Sequence, residues 1–153
     1  MTKKSICFFT ETVDFSLRNR ANIRKWLTIV GKKENHKIDS LNYIFCSDKF
    51  LLKLNQQFLK HDTYTDVITF DHAEIKRQKS KDKNQKRSNS ISGEIFISID
   101  RVKDNAKTLG FPFKNELHRV MVHGLLHLIG YSDKTAAKQK LMRAKEDVYL
   151  KVY

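Results

Sequence analysis

The sequence predicts an α+β fold in which a mixed sheet of about four strands is covered by helices. Four short runs are rich in β-branched and aromatic residues, as strands are, and five longer segments repeat their apolar residues at helical spacing. The predicted order is strand, helix, strand, helix, strand, strand and three helices, which is typical of α+β domains. We expect one domain over residues 1–153, because this length supports a single core and no linker or repeat divides it.

The first half of the chain alternates between strand and helix. Ser5–Thr10 is a short aromatic-rich run that indicates a strand, and Asp14–Ser16 can cap a following helix that stops at Gly31. Leu41–Cys46 indicates the second strand, and Ser47 can cap the helix after it. Both helices are amphipathic, so each is expected to pack one face on the sheet.

The second pair of strands flanks a strongly basic segment. Asp66–Phe70 and Gly93–Ile99 have the composition of strands. Between them, Lys76–Arg87 carries seven basic residues against the single acid Asp82 and has no apolar residue to bury. Two interpretations stay open for this segment: a solvated insertion in a hairpin, or an arm that touches RNA.

Three helices are expected after the last strand. Asp100 can cap a short helix that ends at Gly110, and a long apolar helix follows at Lys114–Ile129. A final amphipathic helix spans about Lys134–Val152. Because apolar residues surround the middle helix on nearly every side, it is expected to be central and buried.

Charge and cysteine content restrict the class of protein. The net charge of +13 and the pI near 9.8 favour a polyanionic partner such as nucleic acid, and no long helix places a basic face opposite a broad apolar one for membrane binding. Cys7 and Cys46 lie in strand-like runs, so we expect reduced cysteines and no disulfide-linked partner. The apolar run Ile6–Phe9 is too short for a signal peptide and no run is long enough to span a bilayer, which favours the cytoplasm.

The predicted central helix carries a pattern that fits a metal site. His123 and His127 are four residues apart, so their imidazoles share one face about 6 Å apart and can reach one ion at about 2 Å each. Gly130 stops the helix, and three residues then allow the Asp133 carboxylate to fold back as a third ligand. Three protein ligands would leave a position for water, as catalytic sites do.

A different interpretation is that both histidines are core residues bonded to backbone carbonyls or water. Two features favour the metal instead. Gly124 is unfavourable inside a helix and often marks a close approach, and a third possible ligand follows the glycine stop. The zinc-protease helix is excluded because Gly124 stands where that motif places its glutamate. A bound ion with an open position can acidify water and polarise a phosphoryl oxygen, so phosphodiester hydrolysis is expected, and no general base is assigned.

Three blocks of the sequence resemble the YbeY family of bacterial rRNA-maturation endoribonucleases. Residues 123–133 read His-Gly-Leu-Leu-His-Leu-Ile-Gly-Tyr-Ser-Asp, against the family's His-Gly-x-Leu-His-Leu-x-Gly-Tyr-Asp-His. Residues 58–70 read Phe-Leu-Lys-His-Asp-Thr-Tyr-Thr-Asp-Val-Ile-Thr-Phe, against Tyr-Arg-x-Lys-Asp-x-Pro-Thr-Asp-Val-Leu-Ser-Phe. Residues 93–98 resemble the family's Gly-Asp-Ile-x-Ile-Ser strand.

This resemblance implies a single-strand-specific endoribonuclease that acts in small-subunit rRNA 3′-end processing and ribosome quality control. It also implies one Zn²⁺ per chain, an rRNA precursor as substrate and the small ribosomal subunit as partner. An alternative from another class is a ribosome-associated assembly or RNA-binding factor whose metal is structural. Loss of folding together with the metal in a His127→Ala variant would support that alternative.

Two positions depart from the family pattern. Asp133 replaces the third histidine, so a divalent ion and its ligands would carry net +1 instead of +2, and Mn²⁺ becomes a plausible alternative to Zn²⁺. Leu59 replaces the arginine after the tyrosine position, which removes an expected phosphate clamp. Lys60 and His61 follow directly, and either one can take that role.

Arg101 and Arg119 are further candidates for phosphate contact, and each is also consistent with ordinary surface charge. Asp66, at the start of its strand, is expected to be a turn residue or to support a metal ligand rather than to act as a base.

Overall fold

A mixed four-stranded sheet forms the centre of the computed structural model, which describes residues 4–61, 63–80 and 89–153. The strands are β1 (Ile6–Glu11), β2 (Lys37–Cys46), β3 (Val67–Asp71) and β4 (Ser90–Ser98). The helices within the described ranges are α1 (Arg20–Lys33), α2 (Asp48–Phe58), α3 (His72–Lys79), α4 (Ile99–Leu109), α5 (Phe113–Ile129) and α6 (Ala136–Leu150). The strand order is β1-β2-β4-β3, with β1, β2 and β4 parallel and β3 antiparallel to β4. The predicted α+β fold is confirmed.

The two faces of the sheet bury different clusters, because side chains alternate along each strand. The larger cluster lies under α1 and α5, where the buried Tyr43 hydroxyl donates to the Met121 carbonyl at 2.9 Å. The smaller one lies under α2 and contains Cys46, Leu51 and Ile68. Helix α5 is therefore held in the larger core.

Two glycines allow α5 to lie directly on β4. A Cβ at Gly124 would lie 2.8 Å from the Ile95 Cγ2, and one at Gly93 would lie 3.2 Å from the Leu128 Cδ1 of α5. The first distance is shorter than Cβ contacts in proteins, and the second would require Leu128 to shift. The expectation that Gly124 marks a close approach is confirmed, and this approach fixes the depth of the histidine-bearing helix.

Two helix starts differ from the sequence predictions. Helix α1 begins at Arg20, after the predicted Asp14–Ser16 cap, and no side chain caps it. Helix α4 is capped by Ser98, whose hydroxyl accepts a backbone N–H of the first turn at 3.1 Å. The Asp100 carboxylate, predicted as the cap, instead accepts the first backbone N–H of α2 at 2.9 Å.

Helix α3 was not predicted. The described part of the basic Lys76–Arg87 segment, residues 76–80, begins in the last turn of this helix. Asp71, the last residue of β3, accepts the backbone N–H of Glu74 at 3.0 Å, which caps the first turn. Residues 81–88 of the segment lie outside the described residues, so both interpretations of it stay predictions.

The cysteines and the helix lengths agree with the sequence analysis. Cys7 and Cys46 lie on β1 and β2, and neither forms a disulfide. Within the described ranges, no helix combines the length and apolarity needed to cross a membrane.

Candidate metal centre

Helix α5 holds two imidazoles at the edge of the core. Eleven of its residues are buried, and this packing fixes the backbone that carries His123 and His127. The two histidines lie one turn apart on one face, and their Nε2 atoms are 2.9 Å apart. Their side chains are 22% and 24% exposed, so one side of the pair opens to solvent.

The end of α5 returns the chain towards this pair. The Gly130 φ of 127° lies where a side chain would be strained, and the Tyr131 N–H donates back to the Leu126 carbonyl at 3.0 Å. The chain then places an Asp133 carboxylate oxygen 3.6 Å from His123 Nε2 and 3.4 Å from His127 Nε2. All three predicted ligands are brought together.

The distances among these atoms fit a small divalent cation. Bonds of about 2.0–2.1 Å at tetrahedral angles place neighbouring ligand atoms about 3.3 Å apart. The triangle here has sides of 2.9, 3.4 and 3.6 Å. An ion could therefore bind all three atoms and keep a fourth position open on the exposed side.

Hydrogen bonds to the Nδ1 atoms orient both histidines. The Tyr131 carbonyl lies 3.1 Å from His127 Nδ1, and a carbonyl only accepts, so that nitrogen carries the proton. His123 Nδ1 donates to the Glu146 carboxylate at 2.6 Å. In the neutral rings, both Nε2 lone pairs then face each other and Asp133, an arrangement that a cation stabilises.

Glu146 was missed by the sequence analysis. It is 4% exposed on α6 and joins His123 to the Arg119 guanidinium, which donates to it at 2.9 Å. Arg119 also donates to Asp147 at 2.6 Å. One signal was available: Glu146 lies on the same buried face of α6 as Met142, and an acid there needs a partner.

The pKa values of the ionisable groups in this site shift in opposite directions. Burial disfavours protonation of His123, but the hydrogen bond and charge of Glu146, with the charges of Asp66 and Asp133, raise its pKa. Burial, followed by the charge of His123, lowers the pKa of His127. Burial raises the pKa of Glu146, yet its hydrogen bonds outweigh this and lower it overall. The site favours positive charge beside His123.

A second polar cluster holds the loop that carries Asp133. Glu34, at the end of α1, accepts the Tyr131 hydroxyl at 2.8 Å and the Lys145 ammonium at 3.1 Å, and it also accepts the Tyr149 hydroxyl. Burial raises the pKa of Glu34, but these bonds lower it overall, so the carboxylate is ionised. Helices α1 and α6 are thereby tied to the loop after Gly130.

Of the four residues predicted to contact phosphate, only one lines the cavity beside the metal centre. Arg119 lines a cavity that His123 and Asp133 also line, although its guanidinium is engaged by acids. Arg101 forms an ion pair with an α2 carboxylate at 2.6 Å and does not line that cavity. Lys60 and His61 are exposed after α2 and do not line it either. Roles in phosphate binding stay predictions.

The comparisons with known proteins identify the family of this chain. A family model described as Endoribonuclease YbeY matches residues 5–153. The chain belongs to the YbeY family. A YbeY protein of Cytophaga hutchinsonii is 53% identical over 150 residues, which cover 98% of this chain and 96% of that protein. A YbeY protein of Amoebophilus asiaticus is 47% identical, with coverages of 98% and 94%. Both relatives are named Endoribonuclease YbeY.

A solved structure has the same fold. The solution structure of TM1509 from Thermotoga maritima matches with a TM-score of 0.60 and 28% identity, over 95% of this chain and 87% of that one. The resemblance to YbeY stated from the sequence is therefore confirmed over nearly the whole chain. Among the described residues, the group that could hold a metal in this YbeY chain has two imidazoles and one carboxylate.

Proposed function

We propose that this chain is a metal-dependent endoribonuclease that cleaves single-stranded RNA during maturation of the small-subunit rRNA 3′ end and in ribosome quality control. The proposal includes the small ribosomal subunit as partner, the cytoplasm as location and one catalytic domain over residues 1–153. Family membership supports the activity. The observation that carries it in this chain is the cation-sized triangle of His123, His127 and Asp133.

The chemistry of the ligand set supports Zn²⁺ as the resident ion. Two imidazoles suit zinc, and the single carboxylate leaves Mn²⁺ as the alternative. When bound, the ion would supply Lewis acidity towards a phosphoryl oxygen and acidify water. Elemental analysis of freshly purified protein distinguishes the two ions.

The chain's own residues prepare this site. The Tyr131 carbonyl and the Glu146 carboxylate hold the two imidazole rings with Nε2 towards Asp133. Arg119 in turn holds Glu146 at 2.9 Å. The excess of basic residues attracts the phosphate backbone, so affinity for RNA is expected to fall steeply with salt.

The test measures bound metal and cleavage together. Wild type should carry about one divalent ion per chain and cleave a single-stranded oligoribonucleotide, and Asp133→Ala should lose both while remaining folded. Asp104→Asn is the matched control, since its carboxylate is exposed on α4 and its ion pair is with Arg101, away from the metal centre. Unfolding of His127→Ala together with metal loss would support a structural metal and the assembly-factor alternative. Cyclic 2′,3′-phosphate ends on the product would identify attack by the 2′-hydroxyl, and 5′-phosphate ends attack by water.

A further inference from the structure

A cavity of about 340 Å³ lies beside the candidate metal centre, between α5, α6 and the start of β3. His123 and Asp133 form one part of its wall, and Asp66, Glu116 and Gln139 line other parts. A molecule bound to the metal centre through a phosphate would therefore have space for an attached group in this cavity.

Glu116 is the unusual group in its wall. The residue is 6% exposed, and its carboxylate has no hydrogen bond to any of the described residues. Burial raises its pKa, as do the charges of Asp66 and Glu146, while Arg119 acts in the opposite direction. By contrast, the equally buried Glu146 has hydrogen bonds to both of its oxygens.

The Glu116 side chain is mostly buried, but no fully enclosed side-chain oxygen among the described residues lacks a hydrogen-bond partner, so its carboxylate is still reached by solvent. Partial burial weakens the solvation of its charge, which raises its pKa. A ligand in the cavity that presents N–H groups would supply the donors that the described residues do not provide. The site therefore selects for a donor-rich ligand.

We propose that this cavity binds the base next to the scissile phosphate, and that the Glu116 carboxylate accepts the N1–H and N2–H groups of guanine. This inference rests on the proposed function, because it requires RNA at the metal centre. Single-stranded RNA is recognised through the Watson–Crick edges of its unstacked bases. Guanine presents two adjacent donors on that edge, which match the two oxygens of one carboxylate. Adenine and cytosine place a ring acceptor beside their amino group, and uracil flanks its one N–H with carbonyl oxygens.

The cleavage test uses uridine oligoribonucleotides with one central guanosine, inosine or adenosine. The metal-loaded wild type should cleave beside guanosine about tenfold faster than beside adenosine, as expected for one bidentate base contact. Inosine, which lacks the N2 amino group, should be intermediate. Glu116→Gln should reduce the preference to within about twofold with unchanged metal content, and the control Asp104→Asn should retain it.

A wild type without preference for guanosine, or a Glu116→Gln variant that retains it, would overturn the inference. If Glu116→Gln does not fold, Glu116→Asp replaces it, because it keeps the charge but withdraws the oxygens from the cavity. If metal-loaded wild type cleaves no RNA, the proposed function fails and the subsite is decided by calorimetric titration. Guanosine monophosphate should then bind about tenfold more tightly than adenosine monophosphate, and equal affinities would overturn the inference.

Discussion

Replacing Glu146 with glutamine should weaken metal binding more than it weakens folding. One Glu146 oxygen accepts from His123 Nδ1 at 2.6 Å, and the other accepts from Arg119 at 2.9 Å. Both partners are donors, whereas an amide has only one acceptor oxygen. In the Glu146→Gln variant, one of the two partners would therefore face an N–H₂ group, whichever way the new amide is oriented.

The expected magnitude follows from the position of Glu146 behind a ligand. Loss of such a partner typically lowers metal affinity by about 10–100-fold, or roughly 1.4–2.7 kcal/mol. Arg119 keeps its 2.6 Å bond to Asp147, so it is not left without a partner. The free energy of unfolding of the metal-free protein should therefore fall by about 1–2 kcal/mol, less than for a fully unpaired buried charge.

The assay is a competition titration against a chromophoric chelator, with urea unfolding of the metal-free protein measured in parallel. Asp147→Asn is the matched control, because it removes a partner of Arg119 and leaves the bond between His123 and Glu146 in place. Since Asp147 is 52% exposed, this control should change stability by at most about 1 kcal/mol and leave metal affinity unchanged. Wild-type affinity in Glu146→Gln, or an equal loss in Asp147→Asn, would refute the reasoning.

Further predictions concern packing, pH and metal removal. Gly124→Ala should lower the free energy of unfolding, measured by urea titration, by about 1–3 kcal/mol, because the new methyl group would overlap Ile95. Adding Ile95→Ala should recover part of this loss, and strictly additive losses in the double variant would contradict the proposed overlap. Burial, with a smaller effect of a nearby lysine, lowers the pKa of His118 to about 4, so the unfolded state alone takes up this proton as pH falls from 6.5 towards 4. His118→Phe should therefore remove about 2 kcal/mol of the stability loss between pH 7 and pH 5, measured by urea unfolding at both pH values, and a pH profile identical to that of wild type would argue against it. Chelation should lower the unfolding temperature of metal-loaded wild type and leave that of Asp133→Ala unchanged. For an ion previously present at a hundred times its Kd, the shift corresponds to about 2.7 kcal/mol. An equal shift in both proteins would count against the ligand set.

The metal-binding candidates could be found from sequence because their geometry is local. His123 and His127 are related by one helical turn, and Asp133 follows a glycine stop by three residues. Helix geometry and the turn bring these groups together without information about the rest of the chain. The same reasoning identified Gly124 as a close approach, although not Ile95 as its neighbour.

Glu146 could not be assigned to the site because its role depends on how α6 packs against α5. It lies 23 residues after His123 in the chain, and periodicity does not specify which side chains of two helices meet. The unpredicted helix α3 has a different cause. Ile75 is its single large apolar residue, so eight residues give no hydrophobic repeat, while the cap from Asp71 comes from the preceding strand.

The Glu34 cluster has a consequence for how quickly the site could capture an ion. Because Tyr131 is anchored to Glu34 through its side chain and to Leu126 through its backbone N–H, the segment leading to Asp133 is ordered when the chain folds. The conformational entropy of that segment is then lost during folding and not during ion capture, which makes the site preorganised. Replacing Glu34, which directly follows α1, would thus slow the binding of the ion at the metal centre, although Glu34 contributes no ligand to it.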